Sequence, residues 1–291
     1  MTRSLTPRVT HLLAASALSI TGASLAADAT PPPTFSPAAN VGWISYGPEF
    51  IPEATGPQPV TFDPAHPFIN NGIEYNAARP GTQDESLQST FPVVDLSNPI
   101  LQPWARENLR QLNERVLSGR PLYSRQSSCW PMGVPGFLLY VVNPLFFLQT
   151  PGKVVLLHQS DHMMRHVYLN VPHSRRPKPS WFGESVGHYE GDTLVVDTIG
   201  ISTKSFVDNY RTPHSDRLHV VERFRMIDEG KTLEVKIRVE DPGAFTTPWN
   251  ASQRYVRVER LPQQEVICAE NNANYFDHEI DPTPQADKAD F

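Results

Sequence analysis

The chain has 291 residues, two cysteines and a formal net charge of −6, with 19% charged and 39% hydrophobic residues. That length buries a sizeable core and the composition argues against wholesale disorder. Two cysteines cannot build a disulfide-rich scaffold or a four-cysteine zinc site. The acidic balance speaks against nucleic acid as main partner, because phosphate contacts need a basic face.

Residues 1–27 read as a Sec-type signal peptide. Arg3 and Arg8 give a positive start, Leu12 to Leu25 a short apolar run, and Ser24-Leu25-Ala26-Ala27 the small residues of a cleavage site. The run falls short of the roughly 20 residues a membrane span needs. The mature protein is therefore expected to be soluble, without a membrane span, and periplasmic or secreted. Export gives Cys129 and Cys268 an oxidising compartment, in which a Cys129–Cys268 disulfide is the natural expectation and two separate buried thiols the alternative.

Proline is abundant, at 29 residues, and concentrated between 28 and 100. Proline blocks helices and central strands. Residues 28–100 therefore read as an irregular arm wrapping the core, with recurring aromatics from Trp43 onward. The β-rich domain spans 101–280, and 281–291 form an acidic tail.

One helix is expected over Gln102 to Leu117. Pro103 suits its first turn, and Ala105, Leu109, Leu112 and Val116 share one face. Phe137 to Leu148, broken by Asn143-Pro144, reads as a buried strand. From there the period changes to two. Strands are expected at 154–159, 163–170, 193–198, 218–226, 232–240, 253–259 and 265–269. Asp228-Glu229-Gly230-Lys231 marks a hairpin. Leu233, Val235, Ile237 and Val239 alternate with Glu234, Lys236, Arg238 and Glu240, as in a sheet with one wet side. The expected fold is mainly β: an antiparallel meander forming a lipocalin-like barrel or a sandwich, with one helix and a Pro-rich N-terminal arm.

Several groups could carry chemistry. Gly183-Glu184-Ser185-Val186-Gly187 matches the spacing of a nucleophile elbow, but no strand precedes it and no helix follows, so it reads as a glycine-rich turn. His158, His162 and His166 fall on one hairpin, with His158 and His166 expected opposite each other; a metal there would make a metal-dependent hydrolase. The strand from Leu218 places Glu222 on an otherwise apolar face. A desolvated carboxylate has a raised pKa and can serve as general acid or base. The structural alternative is a salt bridge to Arg165 or Arg257. Trp181, Tyr189, Phe245 and Trp249 suit an apolar or aromatic ligand, or else plug the barrel as packed corners.

Three blocks carry a resemblance. They are Trp181-x-Gly183-x-Ser185-x-Gly187-x-Tyr189-Glu190-Gly191-Asp192 with the following Thr193 to Thr198; Pro213-His214-Ser215 with Leu218-His219 and Glu222-Arg223-Phe224; and Asp241-Pro242 with Phe245-Thr246 and Pro248-Trp249. Cys129 in Cys-x-Pro-x-Gly-x-Pro and Cys268-x-Glu270-Asn271 add two more. Together they resemble a large family of exported bacterial proteins over roughly residues 100 to 275. The resemblance implies export and a shared fold and names no reaction. The family pattern includes counterparts of His162 and Arg165 but not of His158 or His166, and has Trp where this chain has Tyr189.

The sequence thus suggests a periplasmic protein that binds a small, mostly apolar molecule in an internal cavity. Acid–base catalysis without a cofactor or metal is favoured: isomerisation, elimination or hydrolysis. Glu222 is the expected acid/base, with His162, Arg165, His219 and Arg223 as electrostatic or proton-transfer partners. A non-catalytic envelope binding protein is the rival reading.

Overall fold

The computed structural model describes residues 31–66, 93–118, 129–141, 143–161, 163–259 and 266. The chain divides into two compact units, Met1–Pro31 and Pro32–Phe291, and every strand and helix named here belongs to the second. Among the described residues no helix is long and apolar enough to cross a membrane.

The strands are β1 (Val41–Ser45), β2 (Ile51–Pro52), β3 (Leu145–Thr150), β4 (Lys153–His158), β5 (Met163–Leu169), β6 (Glu184–Glu190), β7 (Thr193–Ile199), β8 (His219–Ile227), β9 (Thr232–Glu240) and β10 (Trp249–Glu259). Nine of them close into a mixed barrel in the order β1-β3-β4-β5-β6-β7-β8-β9-β10, with β10 pairing back to β1. β2 adds only two residues beside β10. All junctions around the barrel are antiparallel except β5–β6, which is parallel.

Alternation places the core. Met163, Arg165, Val167 and Leu169 are buried on β5 while Met164, His166 and Tyr168 are exposed. Leu233, Val235, Ile237 and Val239 of β9 are buried as the pattern requires. The hairpin at Asp228–Gly230 is formed, with positive φ at all three residues.

Both ends of the barrel are stoppered by its own chain. At the end carrying Gln149, the Phe35 ring lies 4.8 Å from that of Phe147. Phe35 is held by its N–H on Gln149 Oε1 (2.8 Å) and by the Trp43 indole N–H on its carbonyl (3.1 Å). At the end carrying His158, a 3-10 turn at Gly136–Leu139 is buried, and the Tyr255 hydroxyl donates to Leu138 O at 2.7 Å.

Helix α1 covers Pro103–Leu117 and buries Ala105, Leu109 and Asn113. Asn113 behaves as a strand partner for Val94, accepting from its N–H and donating to its carbonyl, both at 2.9 Å.

Four expectations are corrected. Val41–Ser45 is a barrel stave rather than wrapping arm, because Trp43 fills the interior. Phe137 to Leu148 is a 3-10 turn and a separate strand, since Pro144 interrupts it. The glycine-rich turn at Gly183 to Gly187 lies instead largely in β6. The meander contains one parallel pair, reached by the long crossover 170–183. The expected strand 265–269 and the tail lie outside the described residues apart from Val266, which bridges Ser160.

Candidate functional site

Glu222 and Arg165 face each other inside the barrel, both fully buried. Arg165 Nη1 donates to Glu222 Oε1 at 2.8 Å and Nη2 to Oε2, a two-pronged ion pair. Nη2 also donates to Thr198 Oγ1 (2.8 Å) and Nε to Ser185 Oγ (3.1 Å). Four strands thus converge on one guanidinium, which leaves the pair few bonds to offer a substrate. Of the sequence alternatives for Glu222, the salt bridge to Arg165 is the one formed. Tyr255 lies close enough that burial, then the Glu222 charge, push its hydroxyl well above its ordinary value.

Other expected members of that site point elsewhere. Arg223 is on the outer face, paired with Glu190 at 2.5 Å. His219 is outside too, its Nε2 2.9 Å from Asp197 Oδ1 and its Nδ1 3.6 Å from Glu240. One residue along a strand reverses the face, so neighbours of Glu222 in sequence are not its neighbours in space. His162 lies outside the described residues.

The histidine hairpin is corrected. His158 pairs with Met163, and His166 pairs with Val155 on the outer face. Burial against Phe137 and Tyr140 pushes His158 down to about 4. Among the described residues no three His, Cys, Asp or Glu side chains are placed to hold a metal ion.

The aromatic residues divide. Phe245 and Trp249 are buried, with rings 6.0 Å apart and Phe50 beside Trp249 at 5.8 Å. The Trp249 indole N–H is buried without a hydrogen-bond partner. Tyr189 is half-buried and accepts from Gln149 Nε2 at 2.8 Å. Trp181 is half-buried, its ring 5.4 Å from that of Trp130.

Outside the barrel, His173 bonds both Glu184 Oε1 (3.1 Å) and Asp197 Oδ1 (2.9 Å), the oxygen that His219 also meets. His219 and then His173, by hydrogen bonding, hold Asp197 below the usual carboxylate range, and Asp197 holds His219 above the usual histidine value. This bridged chain uses both nitrogens of His173 on carboxylates, so His173 has no ring nitrogen left to act as a base.

A third cluster does have that freedom. The chain leaving β7 and returning at β8 runs through 200–218, at the barrel end where β6 begins and β9 finishes. In it Ser205 Oγ lies 3.0 Å from His214 Nε2, and His214 Nδ1 lies 2.8 Å from the carbonyl of Ser215. A carbonyl only accepts, so Nδ1 carries the proton. Burial lowers the His214 pKa and so favours the neutral ring, in which a proton on Nδ1 leaves Nε2 to accept, with the Ser202 carbonyl also within reach of the ring. The Ser205 hydroxyl donates to Ser202 O at 2.9 Å, and its single proton reaches Nε2 only by turning away from that carbonyl. Asp241 fixes Ser215 in turn, accepting from its N–H (2.6 Å) and its hydroxyl (2.5 Å).

Ser205 and His214 are buried under Gly133, whose φ is +71°. A Cβ at Gly133 would fall 2.4 Å from Ser205 Cβ and 3.4 Å from the Trp181 carbonyl. Only glycine lets that chain lie on the serine. Segments around 129–135, 181–183, 213–215 and 241 therefore meet here. They belong to the sequence blocks singled out above, yet sequence reasoning gave Ser205, His214 and Asp241 no role in a site. The available signal was Pro213-His214-Ser215 beside Asp241-Pro242; Ser205, in Ser-Thr-Lys-Ser, has no local signature. No family model matches the chain, and neither the curated proteins nor the solved structures match it.

Proposed function

We propose that the protein is an exported, cofactor-independent hydrolase of small acyl esters, with Ser205 as nucleophile and His214 as general base. The acid–base chemistry expected from the sequence is kept, but it moves from Glu222 to His214. The observation that carries it is the Ser205 Oγ to His214 Nε2 contact of 3.0 Å, with Nδ1 turned to a carbonyl. A hydroxyl, a neutral imidazole and a third group orienting the ring are the parts nucleophilic acyl transfer needs.

As Oγ adds to the ester carbonyl carbon, its proton passes to Nε2. The imidazolium then has the Ser202 and Ser215 carbonyls as acceptors and the Asp241 charge nearby. The same proton goes to the departing alkoxide; water then gives a proton to His214 as it adds to the acyl carbon, and His214 returns that proton to Ser205 Oγ as the C–Oγ bond breaks and the acid leaves. The Cys129–Pro135 segment must lift for a substrate to enter, since the pair is covered.

An aryl-ester assay and a fluorophosphonate probe test this reading. We expect one probe per chain, located on Ser205, and loss of both labelling and turnover in Ser205→Ala. Labelling elsewhere, or full turnover in Ser205→Ala and His214→Ala, overturns it. The unpartnered indole N–H of Trp249 favours the non-catalytic rival, because a buried donor calls for an acceptor. Native mass spectrometry of periplasm-purified protein would reveal a retained small molecule in that case.

Export and the disulfide belong to the same proposal. A mature N-terminus near residue 27 and a mass lower by the two hydrogens of a Cys129–Cys268 bond are expected. Cys268 itself lies outside the described residues.

A further inference from the structure

Arg175, Arg176 and Lys178 are exposed within four residues. Among the described residues none of the three makes an ion pair, whereas Arg110, Arg223, Arg225, Arg238 and Arg254 each pair with a carboxylate. The nearest acidic groups along this crossover are already engaged. Glu184 accepts from the Ser174 N–H at 2.7 Å and meets His173, and Asp197 meets His173 and His219. In a chain of net charge −6, these three cations are thus exposed and without an ion-pair partner among the described residues.

The segment that carries them is also held in place by the fold. Pro177 packs on Gly200, and Ser180 bridges to Gly200 O (3.1 Å) and from Ser202 N–H (2.8 Å). Ser202 then contacts Ser205. Trp181 follows the patch directly and stands 5.4 Å from Trp130, with its carbonyl against Gly133 over the serine. Gly133 and the Trp181 carbonyl thus lie over Ser205, and the crossover that carries the three cations leads into Trp181.

We infer that this site, read as the acyl hydrolase above, takes esters that carry an anionic group, a carboxylate foremost, beside a flat apolar one. Trp181, which stays on the crossover when the Cys129–Pro135 segment lifts, supplies the apolar platform, and the unpaired cations attract the anionic group.

Two esters test the inference, mono-4-nitrophenyl succinate and 4-nitrophenyl butyrate. Wild type is expected to favour the succinate. The variant Arg175→Gln/Arg176→Gln/Lys178→Gln should reduce the succinate-to-butyrate ratio of kcat/KM by roughly tenfold, mainly through the KM of the succinate, and added salt should do the same. If Ser205→Ala is inactive but the ratio is equal in wild type and triple variant, the hydrolase reading stands and the inference fails. A second readout does not need turnover: calorimetry of Ser205→Ala with naphthalene-2-carboxylate and naphthalene-2-methanol. Binding of the carboxylate alone, lost on adding the triple substitution, supports the inference even where neither ester is cleaved. Equal or absent binding of both probes then overturns it together with the hydrolase reading.

Discussion

At the scale of single residues, the Arg165–Glu222 pair shows how a sequence signal can be right about position and still carry a different role. Alternation places Glu222 on the core face, and it is there. Its partner lies 57 residues away, and the sequence names Arg165 only as one of two candidates beside Arg257, because no periodicity links two strands that distant. Breaking a buried pair leaves one charge without its counterpart, which costs about 3–5 kcal/mol. Glu222→Leu is therefore expected to lower unfolding free energy by that amount, and Arg165→Met/Glu222→Leu to recover most of it. Urea titration of wild type and both variants checks this; a double variant no better than the single one would sink it. Ser205 and His214 are harder to read. They sit nine residues apart in an irregular loop, where neither period two nor period 3.6 sorts side chains by face.

At the scale of elements, the legible pieces are those with a strong local pattern. The span 232–240 is legible to its ends, and the helix within one residue, because each shows an unbroken period and a clear stop. Strand β6 is not, because Gly183 and Gly187 suggest a turn; β6 in fact begins just after Gly183, and Gly187 lies within it. Gly183 has φ +62°, and a Cβ there would fall 2.4 Å from Ile199 O. The hairpin between β4 and β5 is legible only to within three residues of register, since Gln159 to His162 offers no turn signature that fixes the pairing. Gly183→Ala is expected to lower stability by more than about 2 kcal/mol, from left-handed strain and overlap together. Gly152 has open space around it and no positive φ, so Gly152→Ala should cost less than about 1 kcal/mol. Thermal melts of the two variants compare them; equal shifts would refute the contact argument.

At the scale of the whole molecule, stability should depend on pH through the buried imidazoles. His158 titrates near 4 in the folded protein against an ordinary value of 6.5, because burial disfavours its charged form. Between those values the unfolded chain binds a proton that the folded chain refuses. Stability is thus highest above the ordinary value and falls with pH, losing about 3 kcal/mol from this group once the pH is below its folded pKa. His214, lowered in the same direction, adds to the slope. His219 is raised, so its stabilisation is present at low pH and is lost as pH rises through its folded value. Denaturant midpoints of wild type and His158→Gln should converge as pH falls through this window; parallel curves would contradict the assignment.

The single parallel junction has a further consequence. Neighbours in a closed ring can all run opposite ways only when their number is even. With nine staves, one pair at least must run the same way, so closure itself demands a seam. Strands that run the same way cannot be joined by a tight turn. Parity therefore obliges the chain to make a long excursion between β5 and β6, and that excursion carries the three cations and Trp181. Removing or adding one stave would restore alternation and take away the reason for the loop. An odd count of strands is thus what gives the barrel room for the recognition surface proposed at its rim.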